Sequence, residues 1–147
     1  MTAATKCYSL IASRTRSLAV RADTFHEQMH WEAEAARFAQ LAELERTDPR
    51  AARAAYRPTR AYDPNKPIVR QHGDRIRVIT AVQGDQVFDT DKLATAWLLR
   101  MDCRSSESVA WMLRNEHGFD LDPFRYAVAA DALVRAGIDP TKEEDRD

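Results

Sequence analysis

The stretch that most constrains the fold is Pro67 to Thr90, PIVRQHGDRIRVITAVQGDQVFDT, because it is the one part of the chain that reads clearly as β-structure. The pairs Gly73-Asp74 and Gly84-Asp85 divide it into three runs, each with β-branched or aromatic residues in rough alternation. This pattern predicts a three-stranded antiparallel meander, which needs helices to cover it. Its middle run has an apolar face and a mixed face, formed respectively by Ile76, Val78, Thr80 and Val82 and by Arg75, Arg77, Ile79 and Ala81.

Helical sequence lies on both sides of this meander. From about Thr5 to Arg46 there is no proline or glycine, which predicts one long helix or a helical hairpin with a break near Ala22 to Thr24. Asp48-Pro49 predicts a short helix that ends at Pro58. After the meander, capping residues and stop glycines predict three helices, with Trp97 and Trp111 in their core. The fold class is therefore α+β: an N-terminal long helix or helical hairpin, a central three-stranded antiparallel meander and three C-terminal helices.

Length and composition predict one soluble domain. We assign residues 1–138 to a single α+β domain and residues 139–147 to a disordered charged tail. No apolar run is long enough to cross a bilayer, and polar residues interrupt the N-terminal segment, so we expect no membrane association, no secretory signal and a cytoplasmic location. Cys7 and Cys103 lie far apart and are expected to be reduced thiols. Arginine outnumbers lysine 18 to 4, a bias typical of GC-rich bacterial genomes.

The N-terminal helical region carries more apolar residues than one core requires. Trp31, Phe38 and Leu41 fall outside its main apolar stripe, so a second surface is needed to cover them. We predict a homodimer with Trp31, Phe38 and Leu41 at its interface, while an intramolecular hairpin is the alternative. The main stripe consists of Ile11, Leu18, Ala22, Phe25, Met29, Ala33 and Ala36.

The sharpest chemical motif is His26-Glu27-Gln28-Met29-His30, an HExxH sequence within the helical region. Two histidines four residues apart share a helical face and can bind one zinc ion, with the glutamate activating a water, as in the zincin metalloproteases. The resemblance covers these five residues only, and in zincins the sheet precedes this helix. Glu34 lies about 12 Å along the axis from His26, too far to complete the site. We therefore predict no metal, no stoichiometric zinc and little effect of His26→Ala on thermal stability. A zinc-dependent hydrolase using His26, Glu27 and His30 is one alternative function.

A second candidate site is the stretch from Arg46 to Arg77, which has nine basic and three acidic residues and a local charge of +6. Its proline-rich loop should be exposed, and it mixes arginines with tyrosines in a way that suits phosphates and bases or an acidic protein surface. The whole-chain charge of -1 argues against a dedicated nucleic-acid binder. The predicted partner-binding residues are Arg53, Tyr56, Arg57, Arg60 and Tyr62.

No other motif in the chain indicates catalysis. There is no glycine-rich phosphate loop and no GxSxG elbow, so the sequence favours a non-enzymatic role without a cofactor. We expect a small cytoplasmic protein-interaction module, an adaptor, regulator or inhibitor, that acts on a protein partner by surface contact and oligomerisation. The other alternative is a nucleic-acid-associated protein that uses the stretch from Arg46 to Arg77.

Overall fold

The computed structural model describes residues 7–142, so residues 1–6 and 143–147 lie outside the description. The described chain confirms the predicted α+β class, with a meander between two helical regions. It divides into two compact units, one ending at Asp63 and one beginning at Pro64. The assignment of residues 1–138 to one domain stays a prediction, and the tail beyond residue 142 lies outside the described residues.

The elements are α1 (Tyr8–Val20), α2 (Phe25–Thr47), α3 (Pro49–Ala55), β1 (Ile68–His72), β2 (Arg75–Thr80), β3 (Gly84–Asp89), α4 (Thr90–Asp102), α5 (Ser106–Asn115) and α6 (Pro123–Ala136).

The first unit is a helical hairpin followed by a short helix. Thr24 has an extended backbone, and its side-chain oxygen accepts a hydrogen bond of 3.1 Å from the amide of Glu27. An N-cap residue needs a non-helical backbone, so this cap separates α1 from α2 and decides between the hairpin and the single long helix. Asp48 caps α3 in the same way, with Pro49 at its first turn.

The core of the first unit lies where α1 and α3 pack on α2. It contains Tyr8, Ala12, Phe38, Leu41 and Ala52. Most residues of the predicted main stripe are therefore not in this core. The stripe assumed one continuous helix, whereas the break between α1 and α2 changes which side chains share a face. Its exposed members are Leu18, Phe25, Ala33 and Ala36.

The sheet of the second unit has the strand order β1-β2-β3, and both pairings are antiparallel. Gly73 has a φ of +63°, a left-handed conformation that suits glycine in the turn between β1 and β2. Val82 does not belong to the apolar face as predicted. It is 89% exposed because β2 ends at Thr80, whose side-chain oxygen accepts a 2.9 Å hydrogen bond from the amide of Gln83 and starts the next turn.

Helices α4 and α6 pack on the sheet, and α5 packs on α4 and α6, to form the core of the second unit. Ile76 and Phe88 of the sheet lie in one apolar cluster with Leu93 of α4 and Leu133 of α6. A second cluster joins α4, α5 and α6 and includes Ala96, Val109, Leu113, Ala127 and Ala130. Across residues 7–142, we find no helix with the length and apolar character needed to span a membrane.

Candidate functional site

Residues 57–62, which we call the strap, follow α3 and lie along α2 in the first unit. Tyr56 ends α3 with an extended backbone, and the chain has no turn or bend between residues 56 and 63. Pro58 explains the end of the helix, because a proline disfavours helical geometry in the residue before it. The strap therefore has no regular structure, and its position depends on contacts with α2.

Arg37 of α2 holds the first part of the strap. Its Nη1 donates to the carbonyl of Arg57 at 2.9 Å and its Nη2 to the carbonyl of Pro58 at 3.1 Å. The same guanidinium donates to Oε2 of Glu34, from Nε at 3.1 Å and from Nη2 at 2.5 Å. Glu34 is only 6% exposed. The buried carboxylate thus fixes the direction of Arg37, and Arg37 in turn fixes the backbone of the strap.

The two histidines of the HExxH motif hold the rest of the strap. Nδ1 of His26 lies 2.8 Å from the hydroxyl of Tyr62, and Nε2 of His30 lies 2.9 Å from the carbonyl of Arg60. His26 is only 2% exposed. Both histidines therefore share one face of α2, as their spacing predicts, and one nitrogen of each ring forms a hydrogen bond with the strap.

The glutamate of the motif belongs to the start of α2. Oε2 of Glu27 accepts a hydrogen bond of 3.4 Å from the amide of Asp23, and its Oε1 accepts one of 3.4 Å from the indole of Trp31. Within the described range 7–142, no three His, Cys, Asp or Glu side chains are grouped as a metal site requires. All three motif residues thus have structural contacts, and the hydrolase alternative gains no support from their geometry.

The two predicted tyrosines anchor the ends of the strap. Tyr56 is half-buried, and its ring centroid lies 6.0 Å from that of Tyr8 and 6.3 Å from that of Phe38. The ring of Tyr62 lies 5.4 Å from that of His26 and 5.5 Å from that of His30. Stacking on nucleic-acid bases requires exposed ring faces, which these packed tyrosines offer only in part.

The predicted arginines are exposed beside these anchors. Nη1 of Arg57 donates to the carbonyls of Ala54 and Tyr56, at 3.2 and 2.7 Å, and so covers the C-terminal end of α3. Sequence reasoning left out a fourth exposed arginine, Arg50, which lies one turn before Arg53 on α3. No acidic residue occurs from Pro49 to Tyr62. We call this cationic surface the arginine strip, and it consists of Arg50, Arg53, Arg57 and Arg60.

Apart from Arg46, which lies on α2, the remaining basic residues of the stretch belong to the second unit, where carboxylates offset part of their charge. Nε and Nη2 of Arg77 donate to the two carboxylate oxygens of Asp85, each at 2.6 Å, and this hydrogen bonding lowers the pKa of Asp85. Nε of Arg75 lies 3.9 Å from Oδ1 of Asp89. A local charge summed along the sequence therefore overstates the cationic surface, because it omits cross-strand partners.

The residues predicted for oligomerisation occupy different environments. Phe38 is fully buried and Leu41 is 6% exposed, both in the core of the hairpin. Trp31 is half-buried and meets His30 edge to face, with ring centroids 4.6 Å apart. The interface role of these three residues stays a prediction. The exposed apolar side chains on the hairpin include Leu18, which is 43% exposed, and Val20, which is 85% exposed.

Two further features escaped sequence reasoning. Arg37 was not identified as an anchor, although Glu34 three residues earlier signals a helical ion pair. Trp111 was assigned to the core but is 60% exposed, above an open groove of about 490 Å³ that also includes Glu107 and Met112. Its place on the outer face of α5 follows from the burial of Val109 and Leu113 on the inner face, as in other amphipathic helices.

Comparisons of the chain with protein-family models, curated proteins and solved structures gave no match. The residues and their geometry are therefore the basis for a function. The main feature of the site is a cationic surface on a segment that α2 holds in place, and such a surface suits the binding of anionic groups.

Proposed function

We propose that this chain is a small protein-interaction module, an adaptor, regulator or inhibitor, that binds a partner protein through the arginine strip. The supporting observation is the set of hydrogen bonds between the strap and the side chains of Arg37, His26 and His30. A binding segment that is already ordered loses less conformational entropy when a partner binds. Because Arg57 and Arg60 lie on such an ordered segment, binding of a partner protein to them is favoured.

A protein partner is favoured over a nucleic acid for two reasons. Tyr56 and Tyr62 pack against neighbouring rings, which limits their use as stacking platforms. The chain also has a net charge of -1, whereas nucleic-acid-binding domains are usually markedly basic. Nuclease treatment during affinity capture tests the nucleic-acid alternative.

A cytoplasmic location in a bacterial cell and a homodimeric state complete the proposal. Cys7 and Cys103 are free thiols, as is usual in reducing compartments. Support for self-association comes from the exposed apolar side chains of α1, including Leu18 and Val20, since such residues often mark contact surfaces.

Affinity capture from a lysate of the source cells, combined with matched variants, tests the proposal. The test variant is Arg53→Ala/Arg57→Ala/Arg60→Ala. The control is Arg14→Ala/Arg16→Ala/Arg21→Ala, which removes three exposed charges from α1 and the residue after it in the same unit. We expect proteins that are retained by the wild type and the control but lost with the strip variant. Retention that is equal for all three, or that disappears after nuclease treatment, would contradict a protein partner at this surface.

A further inference from the structure

We infer that the arginine strip binds an extended acidic segment of a protein, and that Arg37 is the positioning residue that keeps the strip ready for it. This inference rests on the proposed function and deepens it by naming the class of partner. Two observations carry it: the chemistry and spacing of the exposed arginines, and the hydrogen bonds that Arg37 makes with Glu34 and the strap.

The spacing of the arginines favours an extended ligand. The strap continues from α3 without a turn or bend, so Arg57 and Arg60 lie along a segment that does not fold back on itself. An extended acidic peptide likewise carries its carboxylates along its length. Arg50 and Arg53, one helical turn apart on α3, lengthen this row of cations.

The chemistry of the guanidinium group favours carboxylates. Its planar donors match the two oxygens of a carboxylate, and this chain already forms such a pair between Arg77 and Asp85. The direction of the Arg57 guanidinium is limited by its bonds to two backbone carbonyls at the end of α3. A guanidinium with a preset direction loses less side-chain entropy when it binds a carboxylate.

Arg37 acts through the strap. Its two bonds to the carbonyls of Arg57 and Pro58 hold the backbone that carries the exposed arginines, while Glu34 fixes its own direction. Without Arg37 the first part of the strap loses both hydrogen bonds, and a partner then has to order it on binding. We therefore expect a loss of affinity without a loss of the contacting charges on the strip.

The experiment measures the anisotropy of a fluorescein-labelled oligoglutamate peptide titrated with the protein at low and high salt. The positioning variant is Glu34→Gln/Arg37→Gln, which avoids leaving a buried carboxylate unpaired. A second variant, Arg37→Lys, keeps the charge beside Glu34 but lacks the planar fork. The contact variant is Arg53→Ala/Arg57→Ala, and Arg14→Gln is the control. Trypsin cleavage after Arg60 reports the mobility of the strap, and cleavage after Arg16 reports the opening of α1.

We expect the positioning variants to bind oligoglutamate about five-fold to ten-fold more weakly than the wild type. Cleavage after Arg60 should accelerate in them, while cleavage after Arg16 should not change. The contact variant should lose affinity and salt sensitivity, with cleavage after Arg60 unchanged. The control should behave as the wild type in every assay.

Four results would overturn the inference. Unchanged affinity for oligoglutamate in both positioning variants would show that Arg37 does not position the strip for binding. Faster cleavage after Arg16 as well as after Arg60 would show that the pair stabilises the whole unit and does not specifically position the strap. Tighter binding of a single-stranded oligonucleotide than of oligoglutamate would reject the acidic peptide. If captured proteins depend on the strip but oligoglutamate does not bind, the proposed function stands and this inference fails.

Discussion

Nδ1 of His26 lies 2.8 Å from the hydroxyl of Tyr62, although the two residues are 36 positions apart in the chain. The contact joins a buried position on α2 to the end of the strap. Together with the hydrogen bonds from His30 and Arg37, it explains how a proline-containing segment without regular structure is held along a helix. Two histidines that suggest a metal site in the sequence thus support the backbone of a candidate binding surface.

The first prediction concerns this hydrogen bond. Tyr62→Phe removes the hydroxyl and leaves the buried ring nitrogen of His26 without that bond, so the free energy of unfolding should fall by about 1 kcal/mol. Trypsin cleavage after Arg60 should also accelerate. Tyr126→Phe, which removes a hydroxyl from the second unit, is the control for both measurements. Cleavage after Arg60 at the wild-type rate would mean that Tyr62 does not hold the strap.

The second prediction concerns zinc and His26. Purified protein should contain no stoichiometric zinc after dialysis, as measured by elemental analysis. His26→Ala should nevertheless lower the free energy of unfolding by about 2 kcal/mol, because it leaves a cavity and removes the partner of Tyr62. This replaces the sequence-based expectation of little change, which did not include the burial of His26. One equivalent of zinc that is lost in His30→Ala would show that the pair binds metal.

The third prediction separates folding of the hairpin from dimerisation. Phe38→Asp places a charge in a fully buried position and should lower the free energy of unfolding by about 4 kcal/mol, whatever the oligomeric state. Leu18→Asp changes an exposed residue of α1 and should shift a dimer toward monomer, with a smaller fall in melting temperature than Phe38→Asp causes. Light scattering after size exclusion gives the mass. A wild-type mass near the 16.8 kDa of one chain at every concentration would exclude the homodimer.

The fourth prediction concerns pH and the pair formed by Arg77 and Asp85. Hydrogen bonding from Arg77 lowers the pKa of Asp85, so the ionised carboxylate stabilises the folded state. This stabilisation is present above the ordinary aspartate pKa of about 3.9 and is lost as the pH falls through the lowered pKa. Asp85→Asn should therefore lower the melting temperature at neutral pH, and the difference from wild type should shrink in acid.

Asp89→Asn is the matched control for this pair, because its contact with Arg75 is 3.9 Å long and both side chains are exposed. Its effect at neutral pH should be smaller than that of Asp85→Asn. Equal effects of the two substitutions at every pH would show that the pair with Arg77 adds no specific stability.

The sequence by itself determined the secondary elements and their order. Thr24 and Asp48 cap helices, while Gly73 and Gly137 adopt positive φ values at a turn and a helix end. These signals act over three or four residues, so they remain readable without knowledge of distant contacts. The alternation in the middle strand likewise identified Ile76 and Val78 as members of one buried face.

Only the tertiary structure decided which helix faces are buried and what the candidate site consists of. The burial of Phe38 depends on α1 folding back after the break, and the anchoring of the strap depends on Arg37 and His26 reaching residues more than 19 positions away. The structure also shows that Arg75 and Arg77 contact carboxylates across the sheet, whereas the arginines of the strip are exposed. Such contacts join residues that are distant in the chain and have no local sequence pattern, because they depend on the relative placement of whole elements.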